Sequence, residues 1–212
     1  MLLSLLSQPF DLYLLLQVMA IVIGVFSAIT VHEFAHAMAA RTFGDHTAES
    51  MGRLTLNPLA HYDPIGSTAM LLFGWGWAKP VPINEGLMRN PRLHGLLSAL
   101  AGPAMNITCA VTFGLILRFV PGVPENLGVL IYFVMFLNLW LAFFNLLPLP
   151  PLDGSYIVRY FLTPRAAASY DRFAHQWGFL LLLGILFLLP AGRILGGFIS
   201  SVAALIVGVP LS

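Results

Sequence analysis

The chain has 212 residues, of which 58% are hydrophobic and only 9% charged, where a soluble globular protein carries roughly a quarter charged residues. Ten Lys plus Arg stand against nine Asp plus Glu, a net charge of +1, which excludes a strongly basic nucleic-acid binder and an acidic disordered tail. A mean hydropathy of +0.87 leaves too little polar surface for water, so the chain must be solvated by lipid, and its single cysteine, Cys109, rules out a disulfide framework.

The first ten residues, MLLSLLSQPF, lack the Lys/Arg region of a secretory signal and run without a break into helical sequence, so they are not read as a cleaved leader. A bilayer core takes about 20 apolar residues in helix. Leu12 to Val31 is uncharged and stays helix-compatible to about Ala40. The most polar region follows, Arg41 to Leu93. Within it, Thr47 to Leu56 reads as one or two short strands from its β-branched residues and Gly turn. Ile65 to Ala78, interrupted by Gly74 and Gly76, is too short for an easy crossing and suits a re-entrant or interfacial element, with Trp75 and Trp77 at headgroup level. Lys79-Pro-Val-Pro82 then forbids continued helix. Gly95 to Leu117 and Asn126 to Leu152 are uncharged spans. After a polar stretch holding Arg159, Arg165, Asp171 and Arg172, Ala174 to Pro190 and Ile194 to Val209 read as a C-terminal helical hairpin. The expectation is an all-α polytopic membrane protein with about five transmembrane helices and a small β-strand or re-entrant element between the first and second. It forms a single membrane-embedded domain over 1–212, with a catalytic core over about 12–162 and the hairpin over about 174–209.

His32-Glu-Phe-Ala-His36 carries the sharpest chemical signal. Residues i and i+4 share a helix face, so both imidazoles can grip one Zn2+ with Glu33 beside them as acid/base. An ionisable group in a lipid-depth helix costs about 2.5–3.5 kcal/mol or more, and three within five residues are hard to excuse as packing. Zinc at a catalytic site needs a third protein ligand. Asp153 is the first acid after the third span, behind the helix-breaking Pro148, Pro150 and Pro151 and ahead of Gly154. Spacing alone leaves it open whether Asp153 is that ligand or the N-cap of a helix from Ser155 to Leu162. Topology favours the ligand. If Ile65 to Ala78 only dips into the bilayer, two crossings return Asp153 to the side of the histidines. That arrangement gathers eight of the ten cationic residues on one face, cytoplasmic by the positive-inside rule, and leaves Arg118 and Arg193 on the other.

His32-Glu-Phe-Ala-His36, NPLAHYDPIG at 57–66, FGWGWAKPVP at 73–82, ALAGPAMN at 99–106 and FNLLPLPPLDGS at 144–155, in that order, resemble the site-2 protease family of intramembrane zinc metalloproteases, peptidase family M50. The likeness is to its short prokaryotic members without a PDZ domain, and it runs from about Ile21 to Phe161. It implies His32, His36 and Asp153 as ligands of a Zn2+ cofactor and Glu33 as the catalytic acid/base. It implies Asn106 and Asn145 as contacts to substrate backbone or oxyanion. The partner implied is a membrane protein with a transmembrane helix, cut within or near that helix in regulated intramembrane proteolysis. The setting is a multi-pass protein of the prokaryotic cytoplasmic membrane with its active site towards the cytoplasm, and no nucleic acid is involved.

Read from the residues alone, Asn106 and Asn145 serve equally well as interhelical hydrogen-bonding groups, as Asn138 does outside any motif. His61 and Asp63 suit a solvated loop better than a role supporting the metal ligands or gating the site, and His46, His94 and His175 read as interfacial. A strand around Met51 to Leu56 would offer an edge to an unwound substrate. The alternatives are a divalent-metal membrane transporter, which would show repeated halves and several polar spans, and a catalytically silent relative that has kept the fold.

Overall fold

The computed structural model describes residues 12–73, 76–188 and 191–208. The expectations placed on the first ten residues, on Gly74 and Trp75, and on the span ends at Pro190 and Val209 fall outside these. Eight α-helices occur among the described residues: α1 (Leu12–Thr42), α2 (Thr47–Ser50), α3 (Gly66–Phe73), α4 (Pro91–Phe119), α5 (Glu125–Asn145), α6 (Ser155–Phe161), α7 (Pro164–Leu188) and α8 (Ala191–Val207), with 3-10 turns at Pro58–Ala60 and Glu85–Leu87.

At 31, 29 and 21 residues, α1, α4 and α5 are long and apolar enough to cross a bilayer, and they pack pairwise into a three-helix core. Lipid tails are as apolar as side chains, so such helices associate by close fit and not by escape from water. On α1, Ile21, Val25 and Ile29 meet Phe133, Leu137 and Leu141 of α5. Gly24 permits that approach, since a Cβ there would lie 2.6 Å from Leu137 Cδ1. A second seam joins Ala110 of α4 and Met135 and Leu139 of α5 to Ile199 and Ala203 of α8, with Phe136, Trp140 and Phe143 packed against it.

The expected pair of terminal crossings is corrected here. Asp171 Oδ2 lies 3.2 Å from Arg159 Nε, Gly178 sits against Pro150, and Phe179 meets Trp77 edge-on at 6.2 Å. These contacts keep α7 at the end of the bundle where α1 and α5 finish. From that same end α8 sets out, with Phe198 against Phe143 at 5.0 Å. It closes beside Arg118, whose Nη1 donates to the Leu205 carbonyl at 3.2 Å. It therefore runs parallel to α4, so α7 and α8 are not two opposed crossings. The contacts that decide this come from the middle of α7, where Gly178 and Phe179 meet Pro150 and Trp77, partners that apolar length alone does not reveal.

The expected strand at 47–56 is also corrected. The segment forms α2 and a turn, and no strand occurs among the described residues. Asp45 decides this. Its Oδ1 accepts the Thr47 N–H and hydroxyl at 3.0 and 2.5 Å, starting a helical turn that Ala48 seals by burial against Ala37 and Val81. Gly52, at φ +68°, ends the turn and lets the Arg53 N–H reach the Ala48 carbonyl at 2.8 Å. A side chain that competes for the backbone here outweighs β-propensity.

The short element behaves as a there-and-back excursion. Helix α3 is about 12 Å long, too short to cross, and the chain returns along it, with Gly76 so close to the Gly66 carbonyl that a Cβ has no room. Asp63 is the cap of α3, its Oδ1 accepting the N–H groups of Ile65 and Gly66 at 3.0 and 2.7 Å. His61, read from sequence as solvated, is fully buried: its Nε2 donates to the Thr55 carbonyl at 2.9 Å and its carbonyl accepts the Lys79 N–H at 3.0 Å.

Asp45 makes a testable contribution to this loop. It is fully buried, and its Oδ2 also accepts the Asn84 N–H at 2.6 Å. Burial pushes its carboxyl up, and the bonds from the Thr47 hydroxyl and the Asn84 and Thr47 N–H groups outweigh that and hold it below the ordinary value. A depressed folded value means stability present above about pH 3.9, the unfolded value, and lost as pH falls through the folded one. Asp45→Asn, which turns one acceptor into a donor, should cost about 1–3 kcal/mol at pH 7. The deficit should shrink as pH falls below about 3.9, read by thermal unfolding across pH; a deficit constant down to pH 2 would refute the assignment.

Candidate metal centre

The spacing of His32 and His36 places both rings on one face of α1, against α4. Their Nε2 atoms lie 3.0 Å apart, and Asp153 Oδ2 lies 3.1 Å from His32 Nε2 and 3.3 Å from His36 Nε2. The turn 146–154 delivers Asp153. After α5 the Gly154 N–H returns to the Asn145 carbonyl at 2.7 Å, and Gly154 lies hard against the Leu146 and Leu147 carbonyls, where a Cβ has no space. Helix α6 has Gly154 as its N-cap without a side-chain bond. Asp153 is thus not the cap that spacing alone allowed; its carboxylate faces the histidines.

The outward nitrogen of each ring is committed. His36 Nδ1 lies 2.7 Å from the Ser98 carbonyl, which can only accept, so Nδ1 carries the proton and Nε2 presents a lone pair. His32 Nδ1 lies 2.6 Å from Asn106 Oδ1. The Asn106 Nδ2 donates to the Ala28 carbonyl at 2.9 Å and to Asn138 Oδ1 at 2.7 Å, which identifies the atom facing His32 as oxygen and makes His32 a donor too.

Two imidazole lone pairs and a carboxylate oxygen therefore converge, and Asp153 Oδ2 is a buried atom with no hydrogen-bond donor. Three mutually repelling acceptors at 3.0–3.3 Å make sense around a cation. A tetrahedral zinc about 2.0–2.1 Å from each ligand sets them about 3.3–3.4 Å apart. Two nitrogens and one carboxylate, each with an outer partner on its histidines, are a zinc donor set. Among the described residues this is the one cluster of three or more His, Cys, Asp or Glu groups with metal-holding geometry. The residues fit the metal.

Glu33 is buried beside this set, and its Oε2 accepts the Val81 N–H at 2.8 Å. Val81 belongs to an extended strap fixed on both sides. The Lys79 N–H is held by His61, the Lys79 carbonyl by Arg53 Nη2 at 2.7 Å, and the Asn84 N–H by Asp45. Pro80 and Pro82 remove the neighbouring donors, so Val81 offers Glu33 the one N–H between Lys79 and Ile83. A second restraint acts on α6, the helix that follows Asp153: Arg159 Nη1 lies 2.7 Å from both carboxylate oxygens of Glu85.

Asn106 is wholly buried and stands behind His32. Both of its amide hydrogens are used, so it has no donor left for an oxyanion, which corrects the expectation that it meets substrate. Asn145 ends α5 and donates one amide hydrogen to the Leu141 carbonyl at 3.0 Å. Sequence reasoning missed Ser98 and Val81. Ser98, Gly102 and Asn106 stand at i, i+4 and i+8 on α4, one helix face, and that row was a readable signal. Val81 acts through its backbone, and only the flanking prolines hint at it.

The family model of peptidase family M50 matches residues 123–189, which include Asp153. The chain is 42% identical over 180 residues to YwhC of Bacillus subtilis, covering 81% of each protein, and that relative carries a provisional zinc metalloprotease name. It is 34% identical over 177 residues to Rip2 of Mycolicibacterium smegmatis, covering 81% of this chain and 67% of the relative. It is also 34% identical over 145 residues to MJ0611 of Methanocaldococcus jannaschii, covering 65% and 68%; both of these relatives are named in the same provisional way. No solved structure matches the chain.

Gly102 tests the centre independently of its ligands. A Cβ at Gly102 would sit 2.6 Å from His36 Cε1 and 2.8 Å from His32 Cε1, and closer still to His36 Nε2. Gly102→Ala should lower the zinc content of purified protein as Asp153→Ala does, measured as metal per chain, with helical content retained. Full zinc occupancy in both variants would show that these residues do not form the site.

Proposed function

The chain belongs to peptidase family M50, the site-2 protease family of zinc metalloproteases, and from that premise we propose that it hydrolyses a peptide bond within, or at the cytoplasmic edge of, a transmembrane helix of another membrane protein. The observation that carries the proposal is the position of the donor set on an apolar helix: His36 and His32 lie six and ten residues before the end of α1 at Thr42, about 9 and 15 Å along its axis. A water-soluble substrate would not need a centre built at that depth, whereas a peptide bond within a membrane helix does. Release of a membrane-tethered regulator, as in regulated intramembrane proteolysis, is the role this fits.

His32, His36 and Asp153 would hold the zinc. Bound there, zinc supplies Lewis acidity, which polarises a carbonyl and lets water lose a proton near neutral pH. The chain's own groups do the rest. Glu33 Oε2 is held by the Val81 N–H, which leaves Oε1 to take a proton from the attacking water and to pass it to the leaving amide nitrogen. The second amide hydrogen of Asn145 is the group we assign to the substrate carbonyl as negative charge develops on it. The substrate must unwind locally before it can bend into the site, since a helix shields its own peptide bonds.

The orientation we propose puts the metal end of the bundle in the cytoplasm. With α8 setting out from that end, Arg193 joins Arg41, Arg53, Lys79, Arg89, Arg92, Arg159, Arg165 and Arg172 there, and Arg118 alone marks the far end. Nine of ten cationic side chains on one face is the bias expected of a cytoplasmic surface. Four crossings, by α1, α4, α5 and α8, satisfy it with α7 at the inner face, in place of the five expected from sequence.

Glu33→Gln separates catalysis from binding. In a bilayer-reconstituted cleavage assay with a transmembrane-helix substrate it should keep its zinc and lose about 100- to 10,000-fold in turnover. Equal turnover by both proteins would sink the proposal, and so would a zinc-loaded wild type that cuts soluble peptides but no membrane helix.

A further inference from the structure

We propose that Asn138, on α5 and outside every motif, is a positioning residue for the metal ligand His32, acting through Asn106. The proposal rests on the metal reading of the site and adds to it a residue two hydrogen bonds from the ligand.

Asn138 and Asn106 are 1% and 0% exposed, in the seam where α1, α4 and α5 meet. Four bonds run in one direction. Asn138 Nδ2 donates to the Val134 carbonyl at 2.8 Å. Asn106 Nδ2 donates to Asn138 Oδ1 at 2.7 Å and to the Ala28 carbonyl at 2.9 Å. His32 Nδ1 donates to Asn106 Oδ1 at 2.6 Å.

A primary amide can turn over, exchanging its oxygen for its NH2 at little cost in shape, so the polarity of such a chain must be fixed from an end that cannot turn. Here the end is a backbone carbonyl. The Val134 oxygen can only accept, so the Asn138 NH2 points to it and Asn138 Oδ1 points to Asn106. That turns the Asn106 NH2 towards Asn138 and Ala28 and its oxygen towards His32. The proton of His32 is then held on Nδ1, and the Nε2 lone pair faces His36 and Asp153. A turned Asn106 would set oxygen against two oxygens and NH2 against the ring, and would favour the tautomer whose Nε2 carries a proton where the metal belongs. Asn106 and Asn138 are sealed from solvent in the helix seam, so no solvent contact relieves either error. For His36 the carbonyl of Ser98 does the same work directly; for His32 the work falls to Asn106, whose amide is oriented by the Ala28 carbonyl on one side and by Asn138 on the other.

Interhelical bonding alone would also place an asparagine here, and the two roles part in experiment. Asn138→Leu keeps the volume and removes both polar functions. Asn138→Asp restores them, because a buried carboxyl stays neutral and then accepts from Asn106 with its carbonyl while donating to Val134 with its hydroxyl. Zinc affinity is measured on the purified full chain by competition with a chromophoric chelator, and ligand geometry by the visible absorption of the cobalt-substituted protein. The metal-free form is melted to compare folding. Asn138→Leu should hold zinc about ten-fold more weakly or worse with a displaced cobalt band, and Asn138→Asp should return both to wild-type values. A folded Asn138→Leu with wild-type zinc affinity and an unchanged cobalt band overturns the proposal and leaves Asn138 a packing residue. Should Asn138→Leu fail to fold, the ring-nitrogen shifts of His32 in metal-free wild type decide: a proton on Nδ1 supports the relay and a proton on Nε2 overturns it. A wild type that takes up no metal would instead overturn the metal reading itself.

Discussion

Three acceptor atoms facing one another across 3.0–3.3 Å, the Nε2 atoms of His32 and His36 and the Oδ2 of Asp153, are the constraint on which the rest depends. In a lipid-embedded bundle no bulk water screens their repulsion, and a cation at their centre makes the arrangement favourable. Holding it together before the metal arrives falls to the fold. Helix α1 fixes two of the atoms by helical spacing, α4 presses its bare Gly102 backbone against the rings, and the turn after α5 brings the third.

Around that centre the outward ring nitrogens of both histidines and one oxygen of Glu33 are paired in a direction that serves it. The Ser98 carbonyl and the Asn106 side chain take the outer protons of the rings, and the Val81 N–H takes one oxygen of Glu33. The strap that presents Val81 is itself pinned by His61, Arg53 and Asp45, residues of the loop between the first two membrane helices. That loop also dips as α3 and returns. Its polar residues are therefore structural first: they turn a short excursion into a brace for the Glu33 carboxylate. Such bracing matters because a base misplaced by about 1 Å can cost a hundred-fold in rate.

Where sequence expectation and structure part, the cause is in each case competition that a one-dimensional reading does not weigh. At 47–56 the β-branched residues suggested strand, and the carboxylate of Asp45 captured the backbone of Thr47 instead. At 174–209 apolar length suggested two crossings. The contacts of Phe179 with Trp77 and of Gly178 with Pro150 keep α7 at the metal end, and α8 sets out from the same end. His61 looked like a loop histidine because its burial comes from the returning strap, which is distant in neither space nor function but is 18 residues away in sequence.

The sequence by itself determined the medium, the three long apolar helices, the pairing of His32 with His36 and the placement of Glu33 beside them, because composition and helical periodicity are local properties of a chain. It also indicated Asp153 through topology and charge bias. Only the tertiary structure decided that Asp153 faces the histidines and does not cap α6, that Asn106 stands behind His32 with both amide hydrogens used, that a backbone N–H from Val81 holds Glu33, and that Asn138 belongs to the same chain of bonds. Each of those depends on which atom of a side chain points where, and that is settled by partners on other helices.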